Sequence, residues 1–495
     1  MGSPSHQRRA GARALFPAAT VVVPLLLASA PAIAATPAAQ AGQWEASALP
    51  LPAGAAPNPS ASFVGVTCPG ATTCIAIGEY DRANGPTSGV IETGAGEAWT
   101  AHAVPLPPGA PPGAPVELST VTCADATHCA VLATYTNSAN RSASFILTGS
   151  GSNWTAAMSP LPSGVASAGL GIQLNAITCA SASSCVAVGY YFHTNPSVPD
   201  NHGIIITGYG ASWRAVTAPQ LSTMATPPDT NLQTATCPSS HHCLIFGQYS
   251  EAGHQYTWPA IVVSGFGASW SVRTLPTLSG PGVSSSYTDM NFSAALCKSG
   301  SSCLAVGDDQ DASGYTEAFI YSLSAGTWSV REGPVPAGAS FTKSGQAVFL
   351  TNLACPGTTC VAMGNYTGAE PDIGYISVGS GLSWDPIAIP PPASSYPHTG
   401  VNLSDLACQS SSFCVAVGMY ATKARAGGTA IATGSGTSWH VSVAPSLPAE
   451  GNPSPDVNIF EVACAPATCV AVGDYWRGTG AKRADEPIVD TLTSG

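Results

Sequence analysis

Charge is scarce in this sequence of 495 residues. Lys, Arg, Asp and Glu together make up 8% of it, with 15 basic and 27 acidic residues and a net charge of −12. Charge this sparse excludes a fold of long surface helices, whose outer faces need it. The acidic balance excludes the electrostatic footprint of a protein that binds nucleic acid or an anionic membrane. A long apolar run is missing too. The one candidate, "LFPAATVVVPLLLASA", is interrupted by Pro17 and Pro24 and is short for a bilayer span. Catalytic signatures are also absent: there is no Gly-x-Ser-x-Gly elbow, no His-Glu-x-x-His and no Gly-rich phosphate loop. What remains is a chain rich in glycine (52), proline (43) and cysteine (16), a composition suited to short strands joined by many turns.

The N-terminus has the layout of an export signal. Arg8, Arg9 and Arg13 precede the apolar stretch, and Ala32-Ile33-Ala34 offers a small-residue cleavage site. The expected organisation is a signal over 1–34, a short linker over 35–41 and one domain over 42–495. The Arg8-Arg9 pair leaves general and twin-arginine export both open. Removing the signal takes away three arginines and no acid, so the mature chain carries −15 and no membrane span. Sixteen cysteines fit the oxidising compartment this implies, and a secreted, extracellular monomer is expected.

The cysteines fall in eight tight pairs: Cys68/Cys74, Cys123/Cys129, Cys179/Cys185, Cys237/Cys243, Cys297/Cys303, Cys355/Cys360, Cys408/Cys414 and Cys464/Cys469. Successive pairs begin 53 to 60 residues apart. Behind each second cysteine runs a version of "CVAVGDY", then a short apolar run, a glycine turn, a tryptophan and a Pro-rich stretch. Each repeat reads as four strands: A ending on the first cysteine, B starting at the second, C, and D starting at the tryptophan. Each cysteine pair then spans the A–B turn, which predicts eight local disulfides. The spacing is not a zinc pattern.

Four-stranded units of this length, repeated many times, mark a β-propeller. Eight tryptophans hold the D position: Trp44, Trp99, Trp154, Trp213, Trp270, Trp328, Trp384 and Trp439. The first precedes any cysteine pair, and the last cysteine pair has no tryptophan after it. The N-terminal segment is therefore expected to supply the strand missing at the C-terminus. The predicted fold is all-β: an eight-bladed propeller of four-stranded blades, closed by an N-terminal strand.

The turns "TGSGSNW", "TGYGASW", "SGFGASW", "VGSGLSW" and "TGSGTSW" resemble the Asp-box of sialidase-type (BNR) propellers. With the "VAVG" strand before them, they also look like the photosystem assembly factor-like branch of that superfamily. Gly149, Gly208, Gly265, Gly379 and Gly434 stand where the Asp-box has its aspartate. The resemblance implies the fold, and the superfamily's functions are too varied to imply an activity. A sialidase-like site would need three arginines near the axis. Arg214, Arg273 and Arg331 instead follow their tryptophans on strand D.

Antiparallel strands send the A–B and C–D turns to one face and the B–C and D–A connections to the other. The first set is short and uniform. The B–C loops vary in length and chemistry, as variable binding loops do. Candidate ligand-binding residues are Arg82, His193, His202, Tyr256, Trp258, Trp476 and Arg477. In "DQDASGYTE", the oxygens of Asp309, Asp311, Ser313 and Glu317, with a turn at Gly314, have the spacing of a calcium loop. This is the one cofactor expected, against the alternative of a solvated acidic turn. The functional expectation is a secreted binding scaffold for an extracellular glycan or protein. The alternatives are a hydrolase or lyase acting on extracellular carbohydrate, and a purely structural envelope protein.

Overall fold

A computed structural model describes residues 43–493, apart from 71, 167–168, 194–199, 226–228, 254–256, 279–286, 312–315, 338–346, 368–372, 424–426, 446, 448–455 and 478–483. Thirty-two strands form eight four-stranded antiparallel sheets, and no described residue is helical. In blade 1, strands A to D are Ala61–Gly70, Thr73–Tyr80, Ser88–Ala95 and Ala98–Ala103. Blades 2 to 7 repeat this order over 116–158, 170–217, 230–274, 287–332, 348–388 and 402–443. In blade 8, A to C are Val457–Ala465, Thr468–Arg477 and Ala484–Thr493, and D is the N-terminal strand Gln43–Ala48. Trp44 lies opposite Leu492, and Ala48 opposite Ile488. The expected eight blades and the closing strand are both present.

The core is distributed over the eight junctions between blades. Between blades 1 and 2, Ile75, Ile77 and Ile91 meet Val131, Phe145 and Leu147. Between blades 8 and 1, Val470, Val472 and Val489 meet Phe63, Ala76 and Val90, so the ring is closed by the same apolar contact that builds it. Each strand-D tryptophan packs into the junction with the preceding blade, as Trp154 does against blade 1 and Trp44 against blade 7. Fully burying one of the Val, Leu, Ile or Phe side chains of a junction contributes roughly 1.5–3 kcal/mol, which makes the junctions the main apolar source of stability.

All eight cysteine pairs are disulfide-bonded, and no cysteine is free. Strand A generally continues past its first cysteine instead of stopping there, so the bond crosses a hairpin. Cys123 faces Cys129 directly, and a bulge follows before Asp125 meets His128. In blade 8 Cys464 faces Cys469, and Ala465 meets Thr468 with no bulge, which accounts for the shorter spacing there.

The second cysteines depart from the expectation of residues that open strand B at a turn. Cys74, Cys129, Cys185, Cys243, Cys414 and Cys469 are at most 1% exposed, and Cys303 and Cys360 are buried as well. In most blades strand B begins one residue earlier, as at Thr73, Ser184, His242 and Phe413, which places the cysteine inside the strand. Its side chain then joins the apolar junction. Cys74 packs with Phe63 and Val90, and Cys185 with Ile204 and Ile206. Cys243 packs with Ile261 and Val263, and Cys414 with Leu403 and Leu406. These sulfurs serve the core and offer nothing to a ligand.

Two further devices repeat. Strand A of every blade has one extra residue at the same place, from Val64 in blade 1 to Phe460 in blade 8. Such a bulge bends and twists the innermost strand. The C–D connection is a two-residue hairpin turn with a positive φ at its first residue. Gly151 (φ +51°) fills it in blade 2, and its carbonyl accepts the indole N–H of Trp154 at 2.8 Å. Two residues earlier, a Cβ on Gly149 would lie 2.0 Å from the carbonyl oxygen of Asn153, so that position admits no aspartate in this geometry.

Candidate functional site

Among the described residues of the B–C and D–A face, the most developed feature lies where blade 3 meets blade 2. A groove of about 740 Å³ opens there, lined by Arg141, Met158, Leu161, Leu170, Ile172 and Phe192, among others. Met158 is 38% exposed, unusual for so apolar a side chain. The hydroxyl of Ser159 is buried in the wall with no hydrogen-bond partner, while Ser144 donates to the carbonyl of Ile172 at 2.6 Å. No carboxylate or imidazole is among the lining residues. The groove can therefore hold apolar and hydrogen-bonding groups, but it offers no acid–base pair of its own.

Next to Phe192 stands a cluster that joins two of the expected residues. His193 Nδ1 lies 2.8 Å from the Asp200 carboxylate, and His202 Nε2 lies 3.2 Å from it. The Asp200 side chain is only 7% exposed. Burial works to raise its pKa, but hydrogen bonds from His193 and His202 outweigh it and hold the carboxyl below its ordinary value. His202 stacks on Tyr191, with ring centres 4.9 Å apart, and His193 remains 46% exposed. Asn201 donates to Asp229 at 2.8 Å, although burial still raises the Asp229 pKa. Loop B–C of blade 3 thus presents a fixed carboxylate between two imidazoles, with one ring at the surface.

The other expected residues are scattered round the same face. Arg82 donates from Nε to the carbonyl of Pro86 at 2.9 Å and from Nη2 to that of Gly113 at 2.5 Å, tying loop B–C of blade 1 to the connection that follows strand D. Trp258 is half-buried ahead of strand C of blade 4, and half-buried Trp476 is the penultimate residue of strand B of blade 8, its backbone N–H donating to the carbonyl of Asp456 at 3.0 Å. Tyr256 and the Arg477 side chain lie outside the described residues, as do Ser313 and the Asp311 side chain. Asp309 and Glu317 face each other across the B–C hairpin of blade 5. Among the described residues, no three His, Cys, Asp or Glu side chains converge to hold a metal. Arg214, Arg273 and Arg331 lie on strand D, away from the axis.

Sequence reasoning missed Phe192 and Met158. A signal for Phe192 existed in "GYYFH", where a third aromatic residue runs past the repeat's usual "G-x-Y". It also missed the polar residue inside that "G-x-Y", which ties neighbouring blades together. The Gln248 carbonyl accepts the N–H of Met290 at 2.8 Å, and Asn365 brackets Leu403, accepting its N–H at 2.7 Å and donating to its carbonyl at 2.8 Å.

No family model matches the chain, and no curated protein matches it in sequence. Several solved β-propellers have some similarity. One is the β-propeller domain of the Trilobed protease from Pyrococcus furiosus, at 10% identity and a TM-score of 0.41, covering 80% of this chain and all of that one. Another is an α-L-arabinofuranosidase of Fusarium graminearum in complex with arabinobiose, at 11% identity and TM-score 0.34, with coverage of 66% and 94%. A third is the Trypanosoma rangeli sialidase in complex with sialic acid, at 12% identity and TM-score 0.31, with coverage of 62% and 52%. Likeness at this level brings neither ligand nor activity to this chain. The chain itself is a closed eight-bladed β-propeller with a disulfide in every blade.

Proposed function

We propose that this chain is an exported, monomeric propeller that binds an extracellular glycan or protein on its B–C and D–A face. The groove between blades 2 and 3 carries the reading. It is concave, mostly apolar, supplied with hydroxyl and guanidinium groups, and lacks the paired carboxyls that carbohydrate hydrolysis needs. The imidazole–carboxylate cluster beside it supplies oriented polar contacts at the rim. The export signal and the repeat motifs similar to those of sialidase-type propellers belong to the same reading. No described helix is long and apolar enough to cross a membrane.

The test is a carbohydrate array and an extracellular-protein panel, probed with the mature chain and with Phe192→Ala and His193→Ala variants. Binding by the parent that both variants lose supports the reading. Binding that both keep removes the groove from consideration. Release of sugar from a bound glycan would favour the hydrolase alternative.

A further inference from the structure

Among the described residues, two carboxyl groups are buried with no hydrogen-bond partner on either oxygen: those of Glu92 and Asp490. Both residues are 0% exposed. They hold the same register in strand C, Glu92 opposite Ala76 and Asp490 opposite Ala471. Leu147, Ile206, Val263 and Ala432 occupy that place in blades 2, 3, 4 and 7. Tyr321 and Ser377 hold it in blades 5 and 6, so the position takes apolar or neutral polar residues, and a carboxyl stands there in blades 1 and 8 alone.

Their placement is not random. Glu92 points the same way as Val90, into the junction where Val470, Val472 and Val489 of blade 8 meet blade 1. Asp490 points the same way as Ile488 and Leu492, into the junction with Val415, Val417 and Ile431 of blade 7. One lone carboxyl thus sits in each of the two junctions that hold blade 8, the blade assembled from both ends of the chain. The other ionisable groups in the first junction are Tyr80, Asp474, Asp485 and exposed Glu45. Those in the second are Tyr475, Glu486, His440, Asp405 and Glu461. Among the described residues, none of these groups is a lysine or arginine; the Arg477 side chain, Lys482, Arg483 and Arg425 of the adjoining B–C loops lie outside the described residues.

We propose that blade 8 is a proton-dependent seam, closed while Glu92 and Asp490 are neutral and loosened from blades 1 and 7 when they ionise. A buried carboxylate with no donor is far costlier than the neutral acid, so ionisation requires the junction to open or hydrate. Burial alone raises both groups to about 8. The native pKa therefore lies above the unfolded value of about 4. The closed form keeps its full stability below about pH 4, loses it progressively up to about pH 8, and loses no more above that. Within this window, each carboxyl released by opening makes opening up to about tenfold more favourable per pH unit.

The test is native-state hydrogen exchange on the full chain at pH 5 and pH 8, corrected for intrinsic exchange rates. The seam predicts that amides of Gln43–Ala48 and Ala484–Thr493 lose at least about tenfold more protection than those of blade 4. A double variant, Glu92→Leu with Asp490→Val, copies residues found at this register in sibling blades and should keep its blade 8 protection at pH 8. Equal loss in blades 8 and 4, no loss at all, or an unchanged loss in the double variant would each overturn the proposal. If the double variant does not fold, the comparison of blades in the parent chain still decides.

Discussion

Ser62, in the innermost strand of blade 1, donates its hydroxyl to the carboxylate of Asp474 in blade 8 at 2.8 Å. Asp474 occupies the polar place of "G-D-Y", the same place from which Gln248 and Asn365 reach the next blade. Burial raises its pKa, and hydrogen bonds from Asn458 and Ser62 partly offset that rise. The joint between the first and last blades therefore uses the same tie as the joints along the chain.

Deleting residues 42–52 should destabilise the whole ring, because blade 8 would lose strand D and its Trp44 contact with blade 7. Thermal unfolding of the truncated chain checks this. An unchanged melting temperature would show that the strand is dispensable.

The eight disulfides should map as nearest neighbours. Peptide mapping of the unreduced protein reads this directly, and one bond between repeats would contradict it. Removing a single pair, as in Cys123→Ala with Cys129→Ala, should cost at most about 2.4 kcal/mol through loop entropy, since the hairpin already restrains the ends, plus the packing lost where Cys129 is buried.

Blade 5 departs from the C–D turn used elsewhere. Ala325 takes the positive-φ place at +49°, and the buried indole N–H of Trp328 has no acceptor. Ala325→Gly should stabilise the protein by about 1 kcal/mol, measured by denaturant unfolding, because glycine adopts this conformation without the Cβ penalty. No gain would mean that the turn relaxes some other way.

Calcium held through Asp309 and Glu317 should raise the melting temperature, with about 2.7 kcal/mol of stabilisation at a hundredfold excess over the dissociation constant. Asp309→Ala should abolish the calcium-dependent part of that shift. A chain indifferent to millimolar calcium ends the idea.

The fold was legible because its signals repeat. The cysteine pairs marked each A–B hairpin, the tryptophans marked strand D, and the unequal ends of the chain told of closure. Contacts that depend on three-dimensional neighbours were not legible. Nothing in the single-letter text of "SFILTGSG" and "LGIQLNA" shows Ser144 reaching Ile172. Likewise, Glu92 reads as an ordinary polar residue until strand pairing sets it beside Leu147 and Ile206 in register. Arg82 reads as a loop cation with ligand-binding chemistry, and its two backbone acceptors emerge only from the folded loop.

The most direct measurement of the central claim is binding to an immobilised carbohydrate array by the mature chain, compared across substitutions on its two faces. Phe192→Ala and His193→Ala should lose the retained glycan at least about tenfold, in the range of an interface anchor, while keeping the parent melting temperature. Ser435→Ala, on the opposite face, should bind like the parent. Loss of binding in Ser435→Ala with retention in Phe192→Ala and His193→Ala would contradict the assignment of the binding face.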